Sequence, residues 1–184
     1  MNQREHLLEQ LWILRYQMGD NDALVLLVER YCGPLLYYVR RLIGDSHAAE
    51  DVLQDVWMTV VRELPRLRDR RSFAAWVYRI ARNKVFRQLK RKGHLPIPTE
   101  DMEVEAGAEE EGHFSPEEAA LVHQCLESLP FQHREVLMLR FFEQMSYEQI
   151  AEVVGCRVGT VRSRLHYAKR ALRKEIEEKS NGKR

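Results

Sequence analysis

A chain of 184 residues, 45% hydrophobic and 31% charged, is long enough for one buried core or two small ones. Its apolar runs fall well short of the roughly 20 residues that span a bilayer, and Met1-Asn2-Gln3-Arg4-Glu5-His6 lacks the apolar stretch of a secretion signal, so a cytoplasmic protein without membrane insertion is expected. The net charge of +1 hides a pattern: 17 Lys/Arg against 11 Asp/Glu over residues 1–92, none against 10 over 93–133, and 12 against 7 over 134–184.

Two basic blocks attract polyanions through counterion release, and the acidic block between them is repelled. The first segment, about Arg4 to Met18, sets Leu7, Leu8, Leu11, Trp12 and Leu14 on one broad face, which predicts a helix with that face inward. Gly19 and Asp20-Asn21 end it. Leu24, Leu27, Val28 and Tyr31 predict a second helix over Asp22 to Cys32. Gly33-Pro34 predicts a break, with Pro34 opening a third helix through Ile43 and Gly44 closing it. A fourth helix begins after Asp45-Ser46 and ends before Pro65. Val52, Leu53, Val56, Val60, Val61 and Leu64 line one face, while Asp51, Gln54, Asp55 and Met58 fall at i, i+3, i+4 and i+7 on the other. The basic loop Arg66-Leu67-Arg68-Asp69-Arg70-Arg71 follows. Ser72 is the expected N-cap of a fifth helix to about Lys92, with Phe73, Trp76, Val77, Ile80 and Leu89 inward.

From His94 to Ser115 the chain holds Pro96, Pro98, Gly107, Gly112 and the run Glu109-Glu110-Glu111, with few large apolar residues. Such a stretch cannot bury enough surface to offset its ordering entropy, so a flexible acidic linker is expected. Ser115-Pro116-Glu117-Glu118 then reads as a helix start. Helices are expected from about Pro116 to Ser128, Gln132 to Phe142, Ser146 to Val154 and Val158 to Lys179. No strand-length alternation occurs. The expected fold is all-α: a helical domain over 1–93, a linker over 94–115 and a helix-turn-helix domain over 116–184.

The signatures G-x-S-x-G, P-loop and G-x-G-x-x-G are absent, so neither an enzyme nor a bound cofactor is expected. Cys32, Cys125 and Cys156 are odd in number and far apart, and His123 with Cys125 has no second pair beside it; no disulfide framework and no metal site are expected. The fifth helix carries Arg79, Arg82, Arg87, Lys90 and Arg91 with Asn83 and Phe86, after Phe73, Trp76 and Tyr78. Cations that grip phosphate beside rings that stack on bases suit single-stranded nucleic acid; the plainer reading is buried rings under a solvated charged face. The stripe Asp51, Gln54, Asp55, Met58 has no His or metal-ligand partner and suits a basic protein surface better than catalysis, with an ordinary wet face as the alternative.

The stretch Met145 to Leu172 has the pattern of a helix-turn-helix. Gly155 supplies the turn, Ser146 and Gln149 resemble a capping box, and Ile150, Val154, Val158, Val161 and Leu165 have the spacing of a shared core. The second helix then offers Gly159, Thr160, Arg162, Ser163 and His166 to a groove. Arg140, Lys169 and Arg170 suit backbone contacts.

Together these blocks resemble the bacterial RNA polymerase sigma factors of the extracytoplasmic-function type. The resemblance is carried by His47-Ala-Ala-Glu-Asp-Val-Leu-Gln-Asp-Val-Trp57, by Phe73-Ala-Ala-Trp-Val-Tyr-Arg-Ile-Ala-Arg-Asn83, and by Leu129-Pro130, Arg134-Glu-Val-Leu137, Ser146-Tyr-Glu-Gln-Ile-Ala151 and Val158-Gly-Thr-Val-Arg-Ser-Arg-Leu165. It implies a region 2 helical bundle and a region 4 helix-turn-helix domain. It implies that Asp51, Gln54, Asp55 and Met58 contact the clamp helices of the polymerase β′ subunit, with the β subunit as a further contact. It implies that Arg68, Arg70, Arg71, Trp76, Tyr78, Arg79, Arg82 and Asn83 melt and hold the minus-10 element, with a base turned out of the stack held by the loop and Asn83. Arg140, Thr160, Arg162, Ser163, His166 and Lys169 would face the minus-35 element. The expected partners are core RNA polymerase, promoter DNA and an anti-sigma factor, which in this family often holds the protein at the inner membrane; the free protein is expected to be a monomer. The chain departs from the family pattern at Arg157, often Pro, at Tyr167, often Arg, and at Leu24, often Phe. Two rival readings are a stand-alone helix-turn-helix regulator, which would bind palindromic duplex without polymerase, and an adaptor that binds only protein. The ring-bearing fifth helix argues against the first and the two basic domains against the second.

Overall fold

Residues 3–93 and 116–181 are described by the structure, a computed structural model; among them lie eight α-helices and no strand. The acidic linker expected at 94–115, with Ser115 as cap, lies outside the described residues.

Helices α1 (Gln3–Gln17), α2 (Asp22–Ile43), α3 (Ser46–Glu63) and α4 (Phe73–Arg91) fall in one compact unit. Its core takes Ile13 from α1, Leu27, Leu35 and Tyr38 from α2, Val56 and Val60 from α3, and Phe73, Val77, Tyr78 and Val85 from α4, all without exposed surface. Each large apolar side chain contributes roughly 1.5–3 kcal/mol on leaving water. That burial overrides a local breaker. The break expected at Gly33-Pro34 does not occur, and α2 runs through with Pro34 inside it. Proline in a helix interior costs about 3 kcal/mol, but Tyr31, Leu35, Tyr38, Val39 and Leu42 keep the helical spacing on the buried side, while Pro34 faces solvent.

The orientation of α1 also departs from expectation. Leu7, Leu8, Leu11 and Leu14 are exposed, and Glu9 and Ile13 point inward. Polar partners decide this. The Glu9 carboxylate accepts a hydrogen bond from Tyr31 Oη and lies 3.8 Å from Arg30 Nε; burial raises its pKa against the opposing pull of both partners. One turn and more along, Tyr16 Oη donates to the Val61 carbonyl at 3.4 Å. Val61, expected inward on α3, is itself exposed.

Gly44 closes α2 in the left-handed conformation (φ 75°), and Asp45 caps α3 by accepting from the Ala48 N–H at 3.2 Å. Lys92 Nζ, 2.8 Å from Asp45, ties the start of α3 to the end of α4 and holds the Asp45 carboxyl below its usual range. Ser72 makes no side-chain cap to α4. Its hydroxyl donates instead to the Asp69 carbonyl at 3.1 Å, and the Asp69 carboxylate accepts from the Arg71 N–H at 3.0 Å. The α3–α4 connection thus folds into two short 3-10 turns, Leu64–Arg66 and Arg70–Ser72.

The second compact unit takes α5 (Pro116–Ser128), α6 (Phe131–Leu137), α8 (Val158–Asn181) and most of α7 (Tyr147–Val154). Cys125, Leu126, Val136, Leu139, Ile150, Val161 and Ala168 are fully buried there; Val158, expected among them, is half-buried. The helix expected to continue to Phe142 passes after Leu137 into a π turn, Met138–Phe142. Ser146 and Gln149 form the expected capping box, with bonds of 3.2 and 2.9 Å. Gly155 ends α7 at φ 70°, donating its N–H to the Ala151 carbonyl at 2.9 Å. On α6, burial and the nearby Arg164 charge hold the His133 imidazole below its ordinary pKa.

Candidate nucleic-acid and partner interfaces

Three surfaces collect the residues singled out in the sequence. The first is the outer face of α3. Because Val52, Val56, Thr59 and Val60 turn inward, the helical period turns Asp51, Gln54, Asp55 and Met58 to solvent. Met58 is 69% exposed, a soft apolar centre beside two carboxylates. Lys84 Nζ on α4 reaches Asp55 Oδ2 only at 4.0 Å, the outer limit of an ion pair.

The second surface is an open cleft of about 370 Å³ between the α3–α4 connection and α4. Glu63, Arg66, Leu67 and Arg68 line one wall, and Trp76 with Arg79 the other. Its size is near the lower end of the roughly 300–1,000 Å³ usual for ligand sites, which leaves room for a flat ring system. Three guanidinium groups outnumber the single carboxylate of Glu63, which gives the cleft a cationic rim. Phe73 packs on Trp76 at 5.7 Å between ring centroids, and Tyr31 meets Phe73 edge-on at 5.3 Å. A stack of rings reaching into the core therefore holds the indole, which is 9% exposed.

Of the eight residues expected to meet the minus-10 strand, the structure brings Arg68, Trp76 and Arg79 together in this cleft. Arg71 and Asn83 are exposed outside it, and the Arg82 guanidinium lies over the Phe86 ring at 4.4 Å. Arg70 turns toward α1, donating from Nε to Gln17 Oε1 at 2.8 Å. Tyr78 is a correction. It has no exposed surface, and its ring meets Tyr38 of α2 edge-on at 5.2 Å. Two residues beyond Trp76 is about 200° round a helix, so Tyr78 faces the core where Trp76 faces the cleft. Glu63 lines this cleft and Gln17 bonds to the Leu67 carbonyl of its wall, and neither was expected from the sequence. Neither lies on a basic or aromatic pattern, and Gln17 is far away in sequence.

The third surface is the outer face of α8. Arg162 and His166 are exposed, and Thr160 and Lys169 are half-buried. Arg162, His166, Lys169 and Arg173 recur at i, i+4, i+7 and i+11, one stripe of an α-helix. Lys169 Nζ sits 5.9 Å from the Phe141 ring centroid. Arg140 is held twice, with Nη1 donating to the Met145 carbonyl at 3.1 Å and its guanidinium 5.2 Å from the Tyr147 ring centroid. Ser163 is the second correction. It is 3% exposed, and its hydroxyl donates to the Thr160 carbonyl at 3.0 Å, within its own helix. It has almost no surface to offer a base.

The family description Sigma-70 region 2 matches residues 27–94, and Sigma-70, region 4 matches residues 119–172. The chain is 37% identical over 182 residues to the RNA polymerase sigma-H factor of Pseudomonas aeruginosa, covering 92% of this chain and 94% of that protein. It is 34% identical over 186 residues to the ECF RNA polymerase sigma-E factor of Escherichia coli K12, covering 94% and 96%. Among solved structures, CnrH in complex with the cytosolic domain of CnrY has the same fold, with a TM-score of 0.69 at 24% identity over 93% of this chain and 98% of that one.

Proposed function

The chain belongs to the sigma-70 family of RNA polymerase sigma factors, in its extracytoplasmic-function group, and on that premise we propose which of its surfaces meets each partner. It binds core RNA polymerase and promoter DNA, directs initiation and carries out no catalysis of its own. The stand-alone regulator is not favoured, because a region 2 match covers residues that such a protein has no use for.

In this reading the first domain, residues 1–93, docks on core polymerase through Asp51, Gln54, Asp55 and Met58 and opens the minus-10 element. The second, residues 116–184, reads the minus-35 duplex through Arg162 and His166, with Thr160 beside them and Arg140 and Lys169 on the backbone. The acidic segment 94–115 joins the two, and the protein works in the cytoplasm with the polymerase. The observation that carries the proposal is the cleft that joins Arg68, Trp76 and Arg79. Turning a base out of duplex DNA costs a few kcal/mol. Stacking on an aromatic ring is worth roughly 1–3 kcal/mol per base, and guanidinium groups on the rim add phosphate contacts. The two contributions are of the same order, so the cleft holds an opened strand only while the polymerase keeps the duplex in place.

The test is transcription in vitro with purified core polymerase, with and without the protein, on fragments of its own genome. Specific initiation is expected with the protein and none without it. Asp51→Arg is expected to lose binding to core polymerase in a pull-down while keeping its helical circular dichroism. Undiminished binding of that variant removes the α3 face from the proposal. No specific transcript at any locus removes the whole of it.

A further inference from the structure

Gln17, in the last turn of α1, touches the loop wall of the cleft three times. Its Nε2 donates to the Leu64 carbonyl at 3.0 Å and to the Leu67 carbonyl at 2.8 Å, and its Oε1 accepts from Arg70 Nε at 2.8 Å. A primary amide offers two N–H donors and one carbonyl, and here both N–H groups and the carbonyl are engaged. The three contacts span both 3-10 turns of the connection. The Leu64 carbonyl also accepts from the Leu67 N–H at 3.1 Å, which closes the first turn. Between the bonded carbonyls lie Pro65, Arg66 and Leu67, and Arg68 follows directly; Arg66, Leu67 and Arg68 are the part of the connection that lines the cleft opposite Trp76 and Arg79. The neighbouring Tyr16 hydroxyl is bonded to the Val61 carbonyl of α3, so the end of α1 is fastened to the helix from which the loop departs. The amide is therefore an anchored brace on an otherwise irregular segment.

We infer that Gln17 is a positioning residue for base selection: by bracing Leu64, Leu67 and Arg70 it fixes the loop wall against Trp76 and Arg79, and so sets which base the promoter can turn into the cleft. The inference rests on the base-capture reading given above. The side-chain chemistry at this position is restrictive. A carboxylate at 17 would face two carbonyl oxygens, and an apolar side chain would leave both carbonyls without this donor. Gln17 also draws the Arg70 guanidinium toward α1. Removing the amide should release that cation, so that attraction to DNA of any sequence rises as base selection falls.

The experiment uses the full chain with core polymerase and four promoters that differ only at the captured minus-10 base. Open complexes are counted by 2-aminopurine fluorescence. Wild type is expected to separate its best and worst base by about tenfold or more, the order usual for one read position. Gln17→Ala should shrink that separation to about twofold while keeping its affinity for core polymerase and its cooperative melt, since the three part-buried hydrogen bonds it loses lie at the edge of the domain and leave the apolar core intact. An unchanged ranking, or an equal drop for all four bases, overturns the inference. If Gln17→Ala does not melt cooperatively, Arg70→Ala breaks one of the three bonds from the other side; a partial flattening supports the inference and an unaltered ranking overturns it. Failure of the underlying reading looks different: wild type itself would not discriminate, and Arg68→Ala with Trp76→Phe would leave opening unchanged.

Discussion

The stripe on α8 and the cleft beside α4 are both cationic surfaces proposed to meet nucleic acid, yet they are assembled by opposite means. On α8, Arg162, His166, Lys169 and Arg173 come from one helix, and 3.6-residue periodicity alone lines them up. The cleft draws Glu63 from the end of α3, Arg66, Leu67 and Arg68 from the connection and Trp76 with Arg79 from the following helix, braced from residue 17. Its aromatic member is also the outer end of a buried stack, Tyr31–Phe73–Trp76. A surface made by one helix can be altered one residue at a time. A surface made by several elements shares its residues with the core, so function and stability change together.

The largest effect that sharpens this contrast is expected at Trp76. Trp76→Ala removes a nearly buried ring and should destabilise the first domain by about 3–5 kcal/mol, besides losing promoter opening. Trp12, Trp57 and Trp76 are the only tryptophans of the chain and all precede residue 94. Fluorescence of the two that remain therefore follows the first domain alone. Their midpoint should fall steeply; an unshifted midpoint would mean the stack carries no load and the contrast is wrong.

A smaller effect, confined to binding, is expected on α8. Arg162→Ala should weaken promoter binding by about 1–3 kcal/mol and relax base preference at one minus-35 position, with no change in melting. Equal weakening on all sequences would make Arg162 a phosphate contact only. Ser163→Ala is the control from the same helix: its hydroxyl bonds within α8, so base preference should be unaltered and stability should move by under about 1 kcal/mol.

The smallest effect is a pH dependence of the second domain. His133 has its pKa lowered by burial and by Arg164. Near pH 6.5 the unfolded chain begins to take up a proton that the folded domain refuses, so the unfolded state binds more protons and stability declines as pH falls below that point. The decline ends once the folded imidazole also protonates. The midpoint of the second-domain unfolding transition, followed by circular dichroism at 222 nm, should drift downward as pH is lowered through this window, and His133→Gln should remove that drift while tryptophan fluorescence stays insensitive to the substitution. A fluorescence midpoint that tracks the substitution would assign the effect to the wrong domain.

Much of the molecule was legible one segment at a time. Gly44, Gly155 and the Ser146–Gln149 box stop and start helices where expected, because a left-handed residue or a reciprocal side-chain bond is satisfied within four residues. The acidic α3 face was legible for the same reason: its spacing needs only the helix. Other expectations failed where the surroundings of a residue decide. Pro34 sits inside α2 because apolar residues beyond it must reach the same core. The leucines of α1 point outward because Glu9, Tyr16 and Gln17 find hydrogen-bond partners on α2, α3 and the connection. Tyr78 and Ser163 lie within motifs expected to face DNA, but their own angular positions turn them into the packed side of their helices.

From the sequence alone followed an all-helical chain, the positions of most helix ends, the exposed acid face of α3 and the row of cations on α8. These depend on backbone hydrogen bonds and a repeat that any segment carries by itself. Only the tertiary structure decided which side of α1 is inward, which rings of α4 are core and which is cleft, and that an amide at residue 17 braces a wall some fifty residues later. The reason is that burial and polar satisfaction are summed over every neighbour in space, and a segment read in isolation does not contain its neighbours.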